Sequence, residues 1–105
     1  MVSACMITGS FTTSQGRPVQ GLVRFIPSRL WVVVDNITWA CLAPTIQTGR
    51  DGSFTAWVTA TDNDAVPWTY QVETPAGIWT TYIPWIASGY ALPDLLHGHG
   101  VEHST

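Results

Sequence analysis

The chain predicts an all-β protein: an antiparallel β-sandwich of seven or eight short strands, immunoglobulin-like or transthyretin-like, with one short helical turn near the C-terminus. Three observations carry this. Apolar and mostly hydroxyl-bearing residues alternate through Ser53-Phe54-Thr55-Ala56-Trp57-Val58-Thr59-Ala60, which is the period of a half-buried strand. Gly, Pro, Asn and Asp punctuate the chain at the roughly eight to twelve residue spacing of a sandwich. No segment holds a helical period for more than a turn or two.

The elements follow in order. Met6 to Thr12 reads as a strand with Ile7, Gly9 and Phe11 on one face, ended by the polar turn Thr13-Ser14-Gln15-Gly16-Arg17-Pro18. Gln20 to Ile26 is the next, with Val23 and Phe25 on the face opposite Leu22, Arg24 and Ile26; Pro27 stops its ladder. Leu30 to Asp35 and Thr38 to Leu42 flank Asp35-Asn36, a pair that tolerates the left-handed geometry of a tight hairpin. Both arms are apolar on both faces, most clearly Leu30-Trp31-Val32-Val33-Val34, the pattern of a strand covered on two sides. Such a hairpin calls for cover beyond the domain's own core.

Pro44 to Thr48 is a short strand into the turn Gly49-Arg50-Asp51-Gly52. Beyond it Phe54, Ala56, Val58 and Ala60 are expected to face inward, and Ser53, Thr55, Trp57 and Thr59 outward. Trp68, Tyr70 and Val72 alternate with Thr69, Gln71 and Glu73; Pro75-Ala76-Gly77 then turns the chain into Ile78 to Ile83, which Pro84 ends. Ala91 to Leu96 carries the Pro and Asp that suit a helix start.

At 105 residues the chain fits one domain. We place the sandwich in residues 1–96 and a histidine-containing tail in 97–105. Only 10% of residues are charged, and every cation is an arginine: Arg17, Arg24, Arg29 and Arg50. The net charge of -3 offers no basic stripe for phosphates, so a nucleic-acid role lacks its electrostatic footprint. No apolar run approaches the roughly 20 residues that cross a bilayer. Met1 to Met6 has neither a basic nor a long apolar stretch, so no secretory signal is expected and synthesis in a cytosol is. Cys5 and Cys41 then read as buried free thiols, although a pairing between them is not excluded by their separation.

Chemistry-bearing constellations are sparse. His97, His99 and His103 have a metal-like spacing, yet they sit together in the tail without cysteine, and a polar tail or a subunit contact is the expectation. Asp62-Asn63-Asp64 and Asp51 supply oxygens of the kind calcium accepts but lack the twelve-residue loop and terminal Glu of an EF-hand. Asp62, Asp64, Glu73 and Asp94 are too scattered to suggest a catalytic carboxylate pair. There is no G-x-S-x-G elbow, and every histidine lies in the tail. The reading is a non-enzyme with no cofactor and no metal.

The aromatics are more informative. Six tryptophans exceed what so small a core accommodates, and alternation cannot turn Trp31, Trp39, Trp57, Trp79 and Trp85 all inward. Exposed tryptophan serves either as an interface anchor or as a platform for a sugar ring. Trp31, Val33, Trp39, Trp57 and Trp85 are the interface candidates; Trp57 and Trp79 are the glycan-stacking candidates.

One ordered set of residues adds to this: Gly9-Ser10-Phe11-Thr12, Gly16 to Pro27, Asp51-Gly52-Ser53-Phe54, Ala60 to Asp64, Trp68 to Glu73, Tyr82-Ile83-Pro84 and Leu92 to Leu96. It resembles the small β-sandwich modules of minor tail and tail-fibre proteins of phages infecting actinobacteria. A looser similarity is to the transthyretin-like regulatory domains of carboxypeptidases, which share the Gly-x-Pro-Val-x-Gly and Asp-Gly-x-Phe elements. The phage resemblance implies a non-enzymatic virion component, present in many copies among tail or capsid subunits, and brings no catalytic residue with it. Related modules often continue into fibre stalks or further domains, so a free-standing copy would have to reach its place by its own surface. A minor tail protein is the leading expectation. A capsid decoration protein is the first alternative, and a module that binds host cell-wall glycans is the second.

Overall fold

The computed structural model describes residues 3–62, 68–98 and 102–104. In chain order these form β1 (Ala4–Ser10), β2 (Leu22–Pro27), β3 (Trp31–Val34), β4 (Ile37–Ala40), β5 (Thr45–Gln47), β6 (Ser53–Thr59), β7 (Tyr70–Thr74), β8 (Gly77–Thr81), β9 (Tyr90–Ala91), α1 (Leu92–Gly98) and β10 (Glu102–Ser104). The protein is all-β with one short C-terminal helix. Ten strands are present among the described residues rather than seven or eight, because β5, β9 and β10 are only two or three residues long.

Two sheets face one another. One has the order β6-β1-β9, the other β10-β8-β7-β2-β5, and β3 with β4 forms a separate two-stranded ribbon. Alternation puts Cys5 and Ile7 of β1 and Phe54, Ala56 and Val58 of β6 on one inner face, and Val23, Phe25, Tyr70 and Val72 on the other. These side chains make one core. Phe25 bridges the layers, its ring 6.4 Å from Phe54 of the opposite sheet and edge-on to Tyr70 at 6.3 Å. Each fully buried side chain of this size contributes about 1.5–3 kcal/mol.

Most pairs are antiparallel, including β1 with β6 from Ala4↔Thr59 to Ser10↔Ser53. One is not. β9 lies parallel to β1, with Ile7 opposite Tyr90, because the long segment after β8 brings the chain back along the sheet in the same direction as β1. Helix α1 follows at once. Leu92 and Leu95 are buried and Leu96 packs partly against the core, while Asp94 lies in the first turn, where the amide ends of a helix favour an anion. The helix runs to Gly98, past the 96/97 boundary, and β10 adds a strand to β8 from within the segment expected to be a tail.

The turns follow their residues. Asp35 and Asn36 both take positive φ, 54° and 63°, the geometry of a two-residue hairpin loop whose twist matches its strands. Asp51 caps the turn before β6: its Oδ1 accepts from the Ser53 amide at 3.0 Å and the Ser53 hydroxyl at 2.6 Å, and these bonds hold its carboxyl below the usual range.

Thr59 corrects the alternation. It was expected to face outward with Thr55 and Trp57, yet it is buried because Leu42, at the base of the β3–β4 hairpin, covers it and donates its amide to Thr59 Oγ1 at 2.9 Å. Thr48, Thr61 and Thr81 are buried as well, each hydroxyl bonded to backbone: Thr48 accepts from the Gly21 amide, Thr61 accepts from the Ile83 amide, and Thr81 donates to the Tyr82 carbonyl. The threonines therefore join elements inside the protein as well as covering its surface.

Candidate functional site

The β3–β4 hairpin is the most exposed apolar element. Its register is Trp31↔Ala40, Val32↔Trp39, Val33↔Thr38 and Val34↔Ile37. Val32 is fully buried, and Trp39 and Val34 pack partly against the core, so this is the inner face. Trp31 and Val33 point the other way. They are 58% and 53% exposed; Leu30 at the strand entrance and Ile37 at the tip fall on the parity of the inner face but are exposed as well. Thr38 and Ala40 complete the outer face, and it carries no charge between Arg29 and Asp35.

Its base is fixed to the body. The Cys41 amide donates to Leu30 O at 2.9 Å and closes the ribbon; the Tyr70 hydroxyl donates to Leu42 O at 2.6 Å, and the Phe25 amide donates to Pro44 O at 3.0 Å. A groove of about 170 Å³ lies here, lined by Ser3, Ala4, Trp39, Ala40, Leu42 and Thr59. Within it Trp39 Nε1 is shielded from solvent without a hydrogen-bond partner. The groove leads from the hairpin onto the outer face of the β6-β1-β9 sheet, where Trp57 stands two residues along β6 from Thr59 and opposite Met6 of β1. Trp57 is 55% exposed, flanked on its strand by the exposed Thr55. The apolar surface thus extends from the hairpin base toward Trp57.

Two further candidates lie elsewhere. Trp85 and Ile86 are exposed in the segment after β8, where the Trp85 amide donates to both carboxylate oxygens of Asp62 at 3.3 Å. Trp79 is half-buried in a groove of about 300 Å³ with Ser10, Phe11, Leu92, Pro93 and Leu96. Ser10 is the one hydroxyl side chain among those residues, a poor match to a sugar ring that needs several hydrogen-bond partners. Trp68, the sixth tryptophan, is in the core beside Tyr70.

The described candidate carboxylates each take a structural role. Glu73 pairs with Arg24 across β2 and β7 at 3.0 Å, Asp62 holds the Trp85 amide, Asp51 caps its turn and Asp94 starts α1. Among the described residues no three of His, Cys, Asp and Glu converge on a point that could hold an ion. Asn63, Asp64 and His99 lie outside the described residues, as do the side chains of His97 and His103. Cys5 and Cys41 are free and buried; burial pushes both thiols up, and Cys5 Sγ donates to Pro84 O at 3.8 Å. No helix among the described residues is long and apolar enough to cross a membrane.

Of the residues read from sequence, Trp31 and Val33 share the outer face of the hairpin, Trp57 is exposed on β6 two residues from the groove at the hairpin base, Trp85 stands on a separate segment, and Trp39 and Trp79 are half-buried. Leu30, Ile37 and Leu42 belong to the exposed surface although none was singled out; the unbroken apolar run from Leu30 was the signal for the first of them. No protein-family model matches the chain, and no curated protein is significantly similar to it.

Proposed function

We propose that the chain is a non-enzymatic structural subunit of a tailed-phage virion, a minor tail protein that docks on the particle through the outer face of the β3–β4 hairpin. The exposed Trp31 and Val33 on that face carry this reading, with the exposed Leu30 and Ile37 at its two ends. An uncharged face with a central aromatic, standing on a ribbon whose base is pinned to the core, has the make-up of an interface core rather than of a free surface. The continuation toward Trp57 enlarges it, and the ordered resemblance to phage tail modules supplies the setting. A decoration protein on the capsid would use the same face at a different address. The glycan reading rests on Trp57, whose exposed ring has Thr55 and Thr8 as hydroxyl neighbours on the same outer face.

The test is incorporation. Trp31→Ala and Val33→Ser are expected to change stability by no more than about 0.5 kcal/mol, because both side chains are exposed. Their incorporation into particles is expected to fall by about 30-fold or more, the scale of an aromatic hot spot worth at least ~2 kcal/mol. Trp39→Ala should instead lower the melting temperature, since Trp39 packs against the core. Folded Trp31 and Val33 variants that enter particles normally would sink the proposal.

A further inference from the structure

The free edge of β3 has the composition and register to pair with a second copy of itself. The bond from the Cys41 amide to Leu30 O makes 30/41 a hydrogen-bonded pair, and in an antiparallel ribbon such pairs alternate. Hence 32/39 and 34/37 are bonded pairs within the hairpin, while the backbone N–H and C=O of Trp31 and Val33 point away from β4. Among the described residues β3 pairs with β4 alone. Trp31 and Val33 therefore present two donors and two acceptors on an open edge, beside exposed side chains.

Natural edges are blunted by Lys, Pro, a bulge or an inward-pointing charge. None is present from Leu30 to Val34. The charges lie at the ends instead, Arg29 before the strand and Asp35, exposed, in the turn after it. A two-fold antiparallel pairing centred on Val32 sets Trp31 against Val33 of the other copy, twice over, and so uses all the outward amide groups. It also brings each Arg29 end to the other copy's Asp35 end, giving opposite charges at both corners; whatever Arg29 contacts within its own chain, its sign is unchanged. Other registers leave one outward pair unused or set like ends together. The edge of β6 is less open, because the Thr59 amide is taken by the Tyr70 hydroxyl and Ser53 O by the Gly49 amide.

We propose that the chain forms a two-fold homodimer through β3, joining the two ribbons into one four-stranded sheet, β4-β3-β3-β4, and merging their two outer faces. The dimer rests on the edge itself and goes beyond the virion reading. Sedimentation of the purified chain across micromolar concentrations should show a monomer–dimer equilibrium, and amide hydrogen exchange should protect Trp31 and Val33 in step with dimer formation. Val33→Pro removes one outward N–H without touching the β3–β4 ladder and should sediment as a folded monomer. Arg29→Gln and Asp35→Asn should each weaken the dimer by about two- to fivefold, an effect that salt diminishes.

A wild-type chain that stays monomeric overturns the proposal, as does a dimer whose Trp31 and Val33 amides exchange freely or that Val33→Pro leaves intact. Should the proline variant fail to fold, exchange in the wild-type chain decides the matter. The readout uses no particle, so failure here leaves particle docking standing, and failed docking leaves the dimer standing.

Discussion

Gly52→Ala is expected to destabilise the protein by about 3 kcal/mol or more, which for a domain of this size lowers the melting temperature by on the order of 15 °C. Two costs combine. Gly52 has a φ of 78°, where an L side chain is strained. Its missing Cβ would also drive into the carbonyl oxygen of Phe11 and crowd the Val19 amide. Both neighbours are backbone and cannot swing aside. The Phe11 amide donates to Gly52 O at 3.0 Å and the Val19 amide to Phe11 O at 2.8 Å, so relief of the clash breaks one or both bonds and loosens the stack of Phe11 on Phe54. Thermal unfolding followed by circular dichroism checks this; a loss below about 1 kcal/mol, the ordinary cost of a point substitution, would contradict it.

Tyr70→Phe is expected to cost about 2–3 kcal/mol at neutral pH, with almost no change in shape. The hydroxyl is fully buried. It donates to Leu42 O at 2.6 Å and accepts from the Thr59 amide at 3.1 Å, tying the hairpin base to both sheets; without it both backbone groups lose their partner. The same site sets an alkaline limit. Burial pushes the phenol up from 10.0 to about 12, so below pH 10 both folded and unfolded forms keep the proton and stability is unaffected. Above pH 10 the unfolded chain ionises while the folded one resists, and stability falls by about 1.4 kcal/mol per pH unit until pH 12. The phenylalanine variant lacks this limb. Denaturant titrations at pH 7 and pH 11 should show the wild-type advantage narrowing by about 1.4 kcal/mol; an unchanged gap would contradict the assignment. Burial raises Tyr90, Cys5 and Cys41 in the same direction, so the wild-type chain as a whole should lose stability as pH climbs.

Local patterns made much of the fold legible. The alternation through Phe54, Ala56 and Val58, the Asp35-Asn36 hairpin, the stop at Pro27 and the helical start at Pro93 and Asp94 all depend on near neighbours, and each is found. Properties set by distant contacts were harder to read. Thr59 looks solvent-facing on its own strand, and only the arrival of Leu42 buries it. The parallel pairing of β9 with β1 joins residues more than eighty positions apart, as between Ile7 and Tyr90.

The tryptophans divide in the same way. Trp57 is exposed as alternation requires. Trp39 is half-buried for a reason already present in the sequence: a two-residue loop fixes Val34↔Ile37 and hence Val32↔Trp39, so Trp39 shares the face of buried Val32 and not that of Trp31. Trp79 and Trp85 depend on how the segments after β8 and α1 return to the sheets, and no local pattern contains that information.

High-resolution imaging of phage particles assembled in cells that make the chain tests the proposed virion role most directly. The account predicts density for the β-sandwich on the tail in multiple copies, with the outer face of β3–β4 and its Trp31 side chain buried against a neighbouring subunit. Particles that lack the chain, or a bound copy whose hairpin face points into solvent, would contradict it.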